Sequence, residues 1–247
     1  MAKIRLDKYI ANGGVYTRSR AKKLIHANKV SVGGKTVTDE AFKVDEEQTD
    51  IAVNGINVRA EKYIYIMLNK PSGVISATHD KKQKTVIDLI APQDRRNGLF
   101  PAGRLDIDTE GLIILTNDGD FAHNTLSPKK HISKLYAADV ENYTFSAESQ
   151  KRFGDGIVLL DGSKCKPAIL TYKGQGEGYV SVTLEITEGK FHQVKKMFES
   201  EGGRVIRLKR LSFGEIQLDD ALKSGEYRKL NPTEMLYVEK IKNNNGA

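Results

Sequence analysis

The stretch Gly103-Arg104-Leu105-Asp106-Ile107-Asp108-Thr109-Glu110-Gly111-Leu112-Ile113-Ile114-Leu115-Thr116-Asn117-Asp118-Gly119 constrains this chain more than any other. Its apolar, β-branched part is bounded by Gly111 and by Asn117-Asp118-Gly119. A short apolar run between glycine and a turn signal reads as a buried strand. Asp106 and Asp108 then stand on a charged loop just ahead of a rigid element, a common way to present a reactive carboxylate. At this level either acid could be the reactive one.

The segments before it divide by charge. Residues 1–38 carry many Lys and Arg against one acid, Asp7, and the sign reverses from Asp39 to Asp50. Leu6, Tyr9 and Ile10 have helical spacing, and Asn12-Gly13-Gly14 stops that helix. Thr17 is placed to cap a second helix with Ala21, Leu24 and Ile25 on its apolar side. Arg18, Arg20, Lys22 and Lys23 crowd the start of this helix, where positive charge opposes the helix dipole, so a phosphate partner is expected. Val30, Val32 and Val37 around Gly33-Gly34 read as a hairpin. Residues 51–62 lack periodicity and read as a linker. Tyr63–Leu68 reads as a second buried strand, ended by Pro71 and Gly73, with Lys70 at its edge within reach of a phosphate or of solvent.

Beyond the central stretch, Thr78–Lys84 reads as a polar loop and Val86–Ile90 as an apolar patch. Phe121–Leu126 reads as a short helix, Ser127–His131 as a basic turn and Lys134–Val140 as a strand bearing Tyr136. Residues 144–160 form an amphipathic segment, and residues 166–186 form two strands joined at Gly174–Gly178. In the next helix Val194, Met197 and Phe198 face a core, which turns His192, Lys195 and Lys196 outward. That helix ends at Gly202-Gly203, and Val205–Phe213 is a basic strand with Arg207, Lys209 and Arg210.

Composition removes several chemistries. Cys165 is the single cysteine, so neither an internal disulfide nor a Cys-rich metal site is available. No Walker-type glycine loop, no Gly-x-Ser-x-Gly elbow and no dinucleotide fingerprint occurs. Asp106, Asp108, Asp118 and Asp120 would have to converge to hold a magnesium ion, and no metal is expected. No apolar run has the length of a signal peptide core or a membrane span, so a cytoplasmic protein without a membrane partner is expected. The 39 Lys and Arg against 32 Asp and Glu, a net charge of +7, point to a polyanionic partner. What remains is cofactor-free chemistry on a nucleic acid, with one carboxylate as the reactive group.

Two resemblances give this content. Arg5-Leu6-Asp7, Arg18-Ser19-Arg20-Ala21, Leu24-Ile25 and Val30-Ser31-Val32-Gly33-Gly34 resemble the alpha-L (S4-like) RNA-binding module over about residues 3–50. Gly103-Arg104-Leu105-Asp106 with Asp108-Thr109 and Gly111-Leu112 resembles the signature of RNA pseudouridine synthases. Lys70-Pro71-Ser72-Gly73, Lys134-Leu135-Tyr136 and Gly189-Lys190-Phe191-His192-Gln193-Val194-Lys195-Lys196-Met197 resemble that family's other motifs, in order.

The arrangement is similar to the branch that modifies one uridine in small-subunit (16S) ribosomal RNA. The resemblance implies an α+β protein: an RNA-binding domain over 1–58 and a catalytic domain over 59–242 with a mixed, mostly antiparallel sheet flanked by helices; the polar residues 243–247 are expected to form a disordered tail. It implies Asp106 as catalytic carboxylate, Tyr136 against the target base and Lys195 paired with Asp106, keeping the acid ionised. Lysine there replaces the arginine of many relatives and loses its bidentate fork. It leaves Asp108 as a loop-bracing acid bonded to nearby backbone. Arg5, Arg18, Arg20, Lys22, Lys23, Lys70, Arg104, His192, Gln193 and Lys196 are the expected RNA contacts. No cofactor is implied, and the expected partner is ribosomal RNA, within a pre-ribosomal small-subunit particle, bound by a monomer. The alternatives are the same reaction on 23S ribosomal RNA, or a non-catalytic ribosome assembly factor.

Overall fold

The computed structural model describes residues 3–13, 16–45, 50–58, 63–92, 94–96, 98–127 and 130–243. The expectations at Gly14, Glu46, Glu47, residues 59–62, Pro128, Lys129 and residues 244–247 lie outside the described residues. Two compact units emerge, Met1–Ile64 with Ile90–Leu99, and Tyr65–Leu89 with Phe100–Ala247. The first unit thus extends past residue 58 and takes in a segment that sequence reading assigned to the catalytic domain.

In chain order the first unit holds β1 (Lys3–Arg5), α1 (Leu6–Asn12), α2 (Arg18–His26), β2 (Val30–Val32), β3 (Lys35–Thr36), β4 (Lys43–Asp45), β5 (Ile51–Val53) and β6 (Ile56–Asn57). Leu6, Tyr9 and Ile10 of α1 meet Ala21, Leu24 and Ile25 of α2 in one core. The Thr17 hydroxyl accepts the Arg20 amide, the cap expected from its position. Gly33 and Gly34 both have positive φ (56° and 73°), the conformation of a two-residue turn whose twist matches the strands it joins.

The expected linker is a correction. Ile51–Val53 pairs with β2 and returns through Asn54-Gly55 to β6, and Ile51 and Val53 are buried. The strands are too short to show a period, but Asn54-Gly55 between apolar residues was the available hairpin signal.

The basic start of α2 is also answered differently from expectation. Fully buried Asp7 accepts from Arg5 Nε and Nη2 (both 3.1 Å) and from Arg18 Nε (3.2 Å). Lys22 Nζ lies 2.8 Å from Glu40 Oε1. Carboxylates therefore already offset Arg5, Arg18 and Lys22. Arg20 and Lys23 are exposed and have no carboxylate partner among the described residues.

Burial alone would raise the Asp7 pKa, but the hydrogen bonds from Arg5 and Arg18 outweigh it and hold it below 3.8. A depressed carboxylate stabilises the fold above its unfolded pKa, and that stabilisation is lost as pH falls through the folded value. Asp7→Asn is expected to cost about 2 kcal/mol at pH 7 and to flatten the loss of thermal stability below pH 4. Melting curves of the two proteins between pH 7 and pH 3 check this.

The second unit runs β7 (Tyr65–Lys70), β8 (Phe100–Pro101), β9 (Glu110–Thr116), α3 (Gly119–Leu126), β10 (Lys134–Glu141), α4 (Ala147–Asp155), β11 (Ile169–Gly176), β12 (Tyr179–Ile186), α5 (Gln193–Ser200), β13 (Arg204–Phe213), β14 (Ile216–Gln217), β15 (Tyr227–Lys229) and α6 (Pro232–Asn243). One sheet has the order β11-β12-β10-β13-β9-β7-β15, with β14 on β13 and β8 on β9. Only the β13–β9 pair is parallel, so this is the mixed, mostly antiparallel sheet expected. β7 is buried along its whole length and β9 from Gly111 onward.

The turn closing β9 is structural. Buried Asp118 caps α3 by accepting the Asp120 and Phe121 amides, and its second oxygen accepts Tyr65 Oη (2.5 Å) and Lys242 Nζ (2.6 Å). Asn243, expected to begin a disordered tail, is instead the last residue of α6.

Candidate active site

The loop before β9 is held from below by one buried cation. Lys70 ends β7 directly across from Gly111, with no exposed surface. Its Nζ donates to the carbonyl oxygens of Pro71 (3.1 Å), Asp106 (3.0 Å), Ile107 (3.2 Å) and Thr109 (2.8 Å). Lys70 is thus a brace of the Asp106 loop and not an RNA contact, which corrects the sequence reading. Burial, against the upward pull of Asp108, Asp106 and Glu110, leaves its pKa lowered to about 8. The loop has further ties: Ser76 Oγ donates to the Leu105 carbonyl and accepts its amide, and the Gly73 amide donates to Ile107. A side chain at Gly111 (φ 99°) would come within 2.3 Å of the Arg210 carbonyl, so the close parallel pairing of β9 with β13 requires glycine there.

The opposite wall comes from β10, β13 and the entry to α5. Tyr136 and Arg210 are direct partners across the β10–β13 ladder, which puts their side chains on one face of the sheet. His192 precedes α5 with φ 55°, an uncommon conformation for a non-glycine residue and one that clusters at functional sites. Asp106, Tyr136, His192, Lys195, Arg104 and Arg210 line one cavity of about 340 Å³. The three residues expected to carry catalysis are therefore brought together from β10, α5 and the loop before β9.

The charges around Asp106 are arranged less directly than the resemblance implied. His192 Nε2 lies 3.5 Å from Asp106 Oδ1, and Lys195 Nζ lies 3.7 Å from Oδ2. The short bonds of Lys195 go to Asp108, at 2.6 and 2.7 Å. Asp108, expected to brace the loop through backbone, has Lys195 as its main partner. Burial would raise its pKa, but the hydrogen bond and charge of Lys195, with a backbone hydrogen bond and His192, together hold it below the usual carboxylate value. Lys195 thus bridges two acids: it stays near Asp106 without neutralising it through a tight pair.

Gln193 is a second correction. It is buried, donating Nε2 to Glu188 Oε1 (2.6 Å) and accepting the Lys190 amide (2.9 Å), so it shapes the loop ahead of α5. Arg104 is exposed at the cavity, and Lys196 stands over the exposed ring of Phe191, which stacks on His192. Sequence reading placed Arg210 on a basic strand and did not count it among the residues of the cavity. On β13 it shares the parity of buried Leu208, and that alternation was the available signal.

Comparison with known proteins follows the same lines. A family model described as RNA pseudouridylate synthase matches residues 64–200, and an S4 domain model matches residues 4–50. An uncharacterized RNA pseudouridine synthase of Bacillus subtilis is 44% identical, over 94% of this chain and 97% of its own length. Ribosomal large subunit pseudouridine synthase B of the same organism is 40% identical over 94% and 93%. Ribosomal small subunit pseudouridine synthase A of Escherichia coli is 37% identical over 95% and 100%. A solved pseudouridylate synthase structure, 34% identical, superposes with a TM-score of 0.63 over 96% of this chain and 99% of that one. Placed on the cavity built around Asp106, these matches show that the chain belongs to the RNA pseudouridine synthase family, as an isomerase joined to an S4 domain.

Proposed function

We propose that the protein converts one uridine of small-subunit (16S) ribosomal RNA to pseudouridine, with Asp106 as the catalytic carboxylate acting on a flipped-out nucleotide. The observation that carries this is a single cavity in which Asp106 meets Tyr136 on one side and His192 and Lys195 on the other. A glycosidic bond cannot be remade inside a base stack, so the uridine enters the cavity base first. The bond from C1′ to N1 breaks, the uracil turns, and C1′ bonds to C5. Asp106 works at the sugar, Tyr136 packs against the uracil and takes part in moving the C5 proton, and Lys195 positions the charge of Asp106. No step needs a metal or a nucleotide cofactor.

Around the cavity Arg104, His192 and Lys196 hold the displaced strand. In the first unit Arg20 and Lys23 lead the phosphate contacts, with Arg5, Arg18 and Lys22 sharing their charge between RNA and their carboxylates. The protein acts as a monomer in the cytoplasm, on a pre-ribosomal small-subunit particle. Among the described residues no helix is long and apolar enough to cross a membrane.

A second reading, the same reaction on 23S ribosomal RNA, is favoured by the 40% identity to a large-subunit enzyme. The first is supported by the 37% identity to a small-subunit enzyme that is matched over its whole length. Incubating the protein with small- and large-subunit particles, and with each naked RNA, separates them. One new pseudouridine in the small-subunit RNA is expected. A site found only in the large-subunit RNA would replace the first reading with the second.

A further inference from the structure

Arg210 is 3% exposed, yet no carboxylate among the described residues pairs with it. Its Nε donates to the Leu112 carbonyl (2.8 Å), its guanidinium lies 5.3 Å from the Phe213 ring centre, and its terminal nitrogens have no protein partner among the described residues. Lys134, which also lines the cavity, donates to the Ile132 carbonyl and lies over the Phe213 ring, 5.5 Å from its centre. Burial, and after it the charge of Arg210, lower the Lys134 pKa to about 8 against a weaker upward pull from Glu188. The Glu188 carboxylate is engaged elsewhere: Oε1 accepts the Lys166 amide and Gln193 Nε2. Two adjacent cations without an acid are costly inside a protein unless a ligand brings the negative charge.

We propose that Arg210 and Lys134 form an oxyanion subsite on the sheet wall of the cavity, and that its occupant is the uracil ring as it leaves the ribose. This rests on the isomerase reading above. The chemistry calls for such a site. When the C1′–N1 bond breaks, its electron pair stays on uracil, and the charge spreads over N1, O2 and O4. C1′ then bonds to C5, the C5 proton leaves and N1 takes up a proton, so nothing is oxidised or reduced.

A phosphate is the other source of oxyanion, and the geometry argues against it. The buried position of Arg210, directly across the ladder from Tyr136, is reached by whatever enters deepest, and a flipped nucleotide enters base first. The exposed Arg104 and the half-exposed Lys196 are better placed for the backbone that stays outside.

The test compares wild type with Arg210→Gln, Arg210→Lys and Lys134→Gln on one RNA substrate, reading single-turnover rate and RNA affinity separately. Arg210→Gln is expected to lower the rate about 100-fold and to change Kd less than about threefold. Lys134→Gln is expected to lower the rate about tenfold, and Arg210→Lys to recover part of the loss. The same losses are expected with RNA whose target phosphate is a neutral methylphosphonate.

A loss that appears in Kd and vanishes on the methylphosphonate RNA would assign the subsite to phosphate and overturn the proposal. Unchanged rates in an active protein would also overturn it. Should Arg210→Gln not fold, Lys134→Gln carries the same comparison. A wild-type protein that makes no pseudouridine on any RNA would instead remove the isomerase reading, so the two failures are distinguishable.

Discussion

Asp106→Asn is expected to lower pseudouridine formation by at least about 10⁴-fold, the scale seen when the reacting group of a catalytic set is removed. Its RNA affinity is expected to hold or to tighten slightly, because the change deletes a negative charge that faces a polyanion. Fold stability is expected to survive. Asn keeps the size of the side chain, and Lys195 retains its two short bonds to Asp108, so no cation is left orphaned. Rate, Kd and melting temperature, measured on the same preparation, give this pattern or break it. A variant that binds normally and still turns over would remove Asp106 from the chemistry.

Lys70→Met is expected to damage both stability and rate. The ammonium group satisfies four carbonyl oxygens, three of them from the Asp106 loop, and methionine satisfies none. Removing a charged lysine from the interior recovers its desolvation cost, but the stranded acceptors cost about 1–3 kcal/mol each, for a net loss of about 2–4 kcal/mol. With its brace gone the loop can shift the Asp106 carboxylate, and a displacement of about 1 Å is enough to slow the reaction about 100-fold. Lys70→Arg is not expected to rescue, since a wholly buried site has no room for a guanidinium. The salt dependence of RNA binding is expected to stay unchanged, as it must if Lys70 touches no phosphate. A shallower salt dependence in Lys70→Met would return Lys70 to the RNA interface.

Much of this was legible in the residues. The apolar run from Gly111 to Thr116 announced β9, and the spacing of Val194, Met197 and Phe198 announced the buried side of α5. Thr17 announced its cap, and Gly33-Gly34 its turn. The misses share a physical cause. Lys70 and Gln193 are polar residues in motifs, and polarity by itself says nothing about burial. Only the fold supplies four carbonyls for one and Glu188 for the other.

Charge gave a similar error at the start of α2. The excess of Arg and Lys there was real, but the acids that offset Arg18 and Lys22 are Asp7 on α1 and Glu40, and no local pattern reports that Asp7 points inward. The same holds for Lys195. Its sequence position marks it as a cation near the site, while its division between Asp106 and Asp108 is set by how α5 meets the loop.

The central claim is that this cavity exchanges the N1 bond of uridine for a C5 bond. That exchange must expel the C5 hydrogen, so the most direct measurement uses small-subunit RNA labelled with tritium at C5 of uridine. Wild-type protein is predicted to release one equivalent of tritium per RNA to water, with a matching pseudouridine at one position and no change in RNA mass apart from the exchanged label. Asp106→Asn is predicted to release none while still binding. Stoichiometric binding by the wild type with no tritium released, from either small- or large-subunit RNA or particles, would contradict the account and leave an RNA-binding protein without this chemistry.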